Sequence, residues 1–270
     1  RRKPNQTNKE TINMNKETEI TKRENAGALA TNIFEADAGA GSQNITQDDL
    51  ALPFLKVLGQ LSPEVNKQNA KFINGAEPGM IVNSVTKEIY DGKKGIEVIP
   101  VHYERQYVEW QDRGASSTGA PVAIHKADSD ILSKVTRDKN WKDRLPNGNY
   151  LENTANHFVI LLGKNPSTAL ISMKATQLKV SKNWNSLMLG LKMQGKNGLF
   201  TPPTYSHIYN LKTVQMSNDK GTWFGWDVSR VGPVSDKNVY QIAKNFAEKN
   251  VKGLVNVKHG TEESKSDSPY

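Results

Sequence analysis

The chain has 270 residues and a formal charge of +8, with an isoelectric point near 9.4, so its surface favours a polyanionic partner over a neutral one. It contains no cysteine, which excludes disulfides, thiolate metal sites and cysteine nucleophiles. No apolar run approaches the roughly 18 residues needed to span a bilayer, so the reading is a soluble protein of the cytoplasm, the host's if the source is viral.

Residues 1–45 are rich in Asn, Thr, Lys and Glu, then Ala and Gly. They hold too few apolar groups to offset the entropy of ordering, and disorder is expected. Met14 looks like a natural start, which makes residues 1–13 a candidate upstream remnant. One ordered domain is expected over 46–259, followed by a disordered acidic tail over 260–270.

Thr46 as N-cap, Asp48 and Asp49 in the first turn and the leucines to Leu61 predict a helix, irregular at Pro53. Residues 79–82 read as a strand and 92–95 as a turn. A long strand from Ile96 to Trp110 follows, mixed in polarity on both faces, which implies that one side meets solvent or a ligand. Residues 111–149 are Gly, Ser, Asp and Lys rich, a long loop with a helical or irregular patch near Ile131 to Trp141. Tyr150–Leu162 and Thr168–Lys174 read as buried strands, and the period becomes helical from Ala175 to Met193, with Trp184 in the apolar stripe.

The stretch from His207 to Val231 reads as a β-hairpin turning at Asn218-Asp219-Lys220-Gly221. Its second arm puts Trp223 and Trp226 on opposite faces, so at least one indole is expected at a rim or binding surface. Ser235 or Asp236 then caps a helix that ends at Gly253. This order predicts a mainly β, α+β fold, an elaborated OB-like barrel with added helices and disordered termini.

Catalytic patterns are weak. The glycine and lysine spacing from Gly190 to Lys196 imitates a phosphate-binding loop, but Asn197 replaces the hydroxyl ligand and the run closes a helix rather than opening one. The five histidines, His102, His125, His157, His207 and His259, have no zinc spacing. Asp128 and Asp130 form only a lone carboxylate pair. No enzyme activity, metal or cofactor is expected.

Single-strand binding asks for cations that follow phosphates and rings that stack on bases. Tyr103, Arg105, Tyr107 and Trp110 on the long strand, Lys182 beside Trp184, and Lys212, Trp223, Trp226 and Arg230 on the hairpin supply both. For each ring, packing within the sheet is the competing role. For each cation, it is a solvated face.

The C-terminus, EESKSDSPY, is acidic and ends on proline and an aromatic. It resembles the tails of bacterial and phage single-stranded DNA-binding proteins. The body is similar to phage replication proteins of that class through DLALPFLKVLGQLSPEV, NWNSLM, GTWFGW and GPVSDKNVYQIAKNFAEKNVKG. The resemblance implies an OB-type fold, single-stranded DNA as partner, a role in replication or recombination, and no cofactor. It also implies docking of replication proteins through Asp267, Pro269 and Tyr270, and a homo-oligomer is an open expectation. Three other readings stand beside it: a strand-annealing recombination protein, a virion or host-takeover interaction protein, and a nuclease using Asp128 and Asp130.

Overall fold

The computed structural model describes residues 33–38, 40–44, 51–112, 120–219 and 221–251. Most of the N-terminal segment, the expected cap at Thr46 and the tail residues Asp267, Pro269 and Tyr270 lie outside the described residues. The chain divides into two units, Arg1–Leu50 and Ala51–Tyr270. In the first, residues 33–36 form a single helical turn, α1.

The second unit is mainly β. Strands β1 (Leu55–Val57), β2 (Ile81–Asn83) and β3 (Ile89–Tyr90) form a small antiparallel sheet in that order. The expected helix to Leu61 is therefore corrected to a strand. Pro53 cannot donate to a helix; instead its carbonyl accepts from Leu170 N, and Leu55, Lys56 and Val57 pair with Asn83, Val82 and Ile81.

The large sheet is built on β4 (Ile96–Trp110) and β8 (Tyr150–Leu161), which pair along almost their whole lengths. Between them come β5 (Ala123–Lys126), β6 (Thr136–Arg137) and β7 (Asp143–Arg144); after them come β9 (Ser167–Lys174), α2 (Leu178–Leu189) and the short hairpin β10 (Met193–Gly195) and β11 (Gly198–Phe200). The long hairpin β12 (His207–Asn218) and β13 (Gly221–Pro233) leads to α3 (Lys237–Val251). The sheet runs β13-β12-β4-β8-β7-β6, with β5 also on β4 and β9 also on β8.

This sheet curls into a half-barrel, and the closed OB-like barrel is not formed. The reason lies in the register. β12 follows β4 only where Tyr209, Asn210 and Leu211 meet Val98, Glu97 and Ile96, and β5 takes that edge from Gln106 to Glu109. A bulge between Pro100 and His102 turns β4 between those two partners.

Side-chain alternation on β8 explains the two main cores. Ala155, Val159 and Leu161 join Ile96, Val98, Tyr209, Leu211 and Trp226 beneath α2, which contributes Trp184 and Met188. Phe158 and Ile160 point the other way and pack with Ile99, Leu170 and the α3 residues Ala243 and Phe246. Asp236 caps α3, its Oδ1 accepting from Asn238 N at 2.7 Å and Val239 N at 3.2 Å.

Residues 120–149 are also more ordered than the expected loop. They form β5, a 3-10 turn over Asp130–Lys134 and the β6–β7 hairpin, stabilised by a satellite core of Tyr107, Leu145 and Leu151. The helix predicted to Met193 stops at Leu189, where Gly190 forms the C-cap, and Met193–Gly195 pairs with Gly198–Phe200 instead.

Candidate nucleic-acid interface

Cross-strand register sorts the expected contact residues by face. Tyr103 and Arg105 stand opposite His157 and Ala155, and Arg230 stands opposite Tyr209, so all three share the face of the sheet that meets α2. Lys212 stands opposite Asp227 and points to the other face. Arg105, Lys182, Lys212 and Arg230 are all exposed.

The rings behave differently. Tyr103 is 37% exposed, but Tyr107 is 6%, Trp110 2%, Trp223 7% and Trp226 5% exposed. Four of the five rings expected to stack on bases are thus sheet and core contacts in this conformation. Tyr107 packs with Leu145 and Leu151 beneath the Arg105 guanidinium, 5.8 Å from its ring centre. Trp110 donates Nε1 to Glu152 Oε2 at 3.2 Å, and Lys174, ion-paired to the same oxygen at 2.7 Å, lies over its ring. Trp226 belongs to the core beneath α2.

The rim position expected for one hairpin indole is therefore corrected: both are buried. On the Trp223 face, a Cβ at Gly225 would lie 2.2 Å from Gln177 Nε2, so only glycine lets that side chain lie across the strand. Gln177 also accepts from Trp226 N at 2.7 Å, capping an edge strand that would otherwise offer a free donor.

Tyr103 heads a stack that runs inward. Its ring lies 5.0 Å from His157, which stacks at 4.4 Å on Trp184, which in turn meets Tyr209 at 5.8 Å. His157 Nε2 is 2.8 Å from Ser181 Oγ, the residue before Lys182, while its Nδ1 has no partner. Burial pushes its pKa down to about 3, so the imidazole is neutral. Burial likewise lowers His102 and His207 and raises Tyr209.

Farther along β4, the buried Glu109 carboxylate accepts from Asn149 at 2.6 Å and Asn147 at 3.0 Å and lies 2.9 Å from His125 Nε2. Burial, the largest influence, opposes its ionisation, but these partners together hold it below the ordinary glutamate range. Asp130, one of the two carboxylates considered for a metal, pairs with Lys134 at 3.0 Å. Among the described residues, no group of three or more His, Cys, Asp or Glu side chains is placed to hold a metal ion.

One aromatic was missed. Trp141 is 78% exposed at the tip between β6 and β7. The sequence signal was a tryptophan inside a purely polar run, Asp138-Lys139-Asn140-Trp141-Lys142-Asp143, where no core face could account for it.

A Pam3 phage gp34-like family model matches residues 22–256, most of the chain. The chain belongs to the Pam3 phage gp34-like protein family. Its match spans both core-bearing sheets and the β6–β7 hairpin, so the placement covers the whole candidate interface. The gp34-like name gives a phage setting, not an activity. No curated protein and no solved structure matches the chain. Among the described residues of this gp34-like protein, no helix is long and apolar enough to cross a membrane.

Proposed function

We propose that this protein binds single-stranded DNA without strong sequence preference during phage replication or recombination. The observation that carries the reading is the pairing of a part-exposed ring with an exposed cation on one strand face, Tyr103 beside Arg105, in a chain of net charge +8. The ring supplies a sequence-tolerant stacking surface and the guanidinium a phosphate contact. Exposed Lys182 and Arg230 lie on the same side of the sheet and extend the cationic track. Tyr107, Trp110, Trp223 and Trp226 support the sheet beneath it.

Binding of labelled oligo-dT to the full chain at low salt tests this, alongside Tyr103→Ala and Arg105→Ala. Each substitution is expected to weaken binding by about ten-fold, the scale of one stack or one charge-assisted contact. Unchanged affinity in both would remove this face from the account.

A second reading, a phage protein-protein interaction module, is favoured by a different observation. Leu187 and Leu189 on α2 and Met193, Leu199 and Phe200 on the β10–β11 hairpin are all exposed, from 37% at Met193 to 72% at Leu199. Large exposed apolar side chains concentrated in one stretch of chain point toward an interface. Such a surface also suits the self-association that strand annealing needs.

A further inference from the structure

Of the five tryptophans in the chain, four are buried and one is held out in solvent at the end of a pinned hairpin. Trp141 takes φ 61°, a left-handed conformation that a bulky residue adopts only at a cost. The turn around it is made by one side chain. Asp138 Oδ1 accepts from Asn140 N at 2.7 Å and Lys142 N at 3.0 Å, and Trp141 N donates to Asp138 O at 3.0 Å.

That aspartate is itself anchored. Its Oδ2 accepts from Arg144 Nε at 2.9 Å, and Arg144 grips Asp112 through both terminal nitrogens at 2.8 and 3.0 Å. Hydrogen bonding to the two aspartates raises the Arg144 pKa, so the clamp keeps its charge at any ordinary pH. A large apolar ring is therefore fixed in solvent by a braced, strained turn, with much of the entropy of positioning it already spent.

The surroundings point to the class of ligand. Residues 136–144 carry four cations: Arg137 pairs with Asp143, Arg144 with Asp138 and Asp112, and Lys142 with Asp112 and the Tyr150 ring, while Lys139 stands exposed two residues from Trp141. β7 joins β8 at Tyr150 and Leu151, on the same strand as Ala155, which faces Arg105 across β4. The hairpin thus extends the sheet at the Trp110 end of β4, five residues along that strand from Arg105 and seven from Tyr103.

We infer that Trp141 is a stacking residue for an unpaired base of a single-stranded nucleic acid, with the exposed Lys139 meeting an adjoining phosphate. The inference rests on the single-strand-binding reading and adds a contact to it that lies outside the β4 face.

The test compares the full-length protein with Trp141→Ala and Trp141→Asn, by anisotropy of labelled oligo-dT and by thermal melting. Asparagine accepts the left-handed backbone and lacks a stacking face. Both variants are expected to bind about ten-fold more weakly with an unchanged salt slope, while the Asn variant melts no lower than the parent. If the parent binds and both variants bind equally well, the Trp141 role falls and the wider reading stands. If weaker binding accompanies a lowered melting temperature in the Asn variant, the residue is structural and the inference fails. If the parent itself does not bind, the single-strand reading fails and this inference with it.

Discussion

His157 shows how one buried side chain ties pH to stability in this protein. Its imidazole is fully enclosed, stacked on Trp184 and held by Ser181, with its pKa pushed down to about 3 by burial. In the unfolded chain it titrates near its ordinary value of about 6.5. Below that pH the unfolded state binds a proton that the folded state refuses, so the contribution is neutral above about pH 6.5 and increasingly destabilising between there and about pH 3. Urea unfolding at several pH values should show stability falling on acidification, with this group adding up to about 1.4 kcal/mol per pH unit. His157→Phe keeps the stack and removes the titration, and its pH profile should be shallower than the parent's. Parallel profiles would show that the buried histidine does not set the slope.

At the scale of elements, the contact between the small sheet and the long hairpin is unusually close. Thr213 donates its amide to Gly92 O and its hydroxyl to Gly79 O, and a Cβ at Gly92 would lie 1.8 Å from Gly79 O. Backbone leaves nothing there to yield, so Gly92→Ala should lose about 3 kcal/mol of stability or more, read by urea denaturation. A loss below about 0.5 kcal/mol would contradict the packing. Gly79, at φ 87°, seats the Phe224 ring in the space a side chain would fill. Both glycines bring the small sheet onto the hairpin face that carries Thr213, Phe224 and Trp226, which is how that face's aromatics are covered.

For the whole molecule, local periodicity and distant contact were legible to different degrees. The long strand over Ile96–Trp110, both arms of the hairpin and the helix after Asp236 follow from alternation, turn residues and capping, all local signals. The start at Pro53 was misread because the leucines that resemble a helix stripe, Leu52, Leu55 and Leu58, satisfy cores on different sheets. Closure of the barrel was not legible at all, since it depends on β5 displacing β12 along β4. Of the candidate contacts, the cations were found on the surface, as charge alone demands. Most rings were not, because alternation tells which face a side chain takes and not which face another element covers. Trp141, in a polar run, was the ring whose exposure the sequence did encode.

Equilibrium binding of the full-length chain to oligo-dT across a salt series tests the central claim most directly. If Arg105, Lys182, Arg230 and Lys139 each meet a phosphate, log K should fall against log salt with a slope of about −3, and Arg105→Ala should reduce that slope by about 0.7. No binding at low salt, or affinity indifferent to salt, would contradict the account.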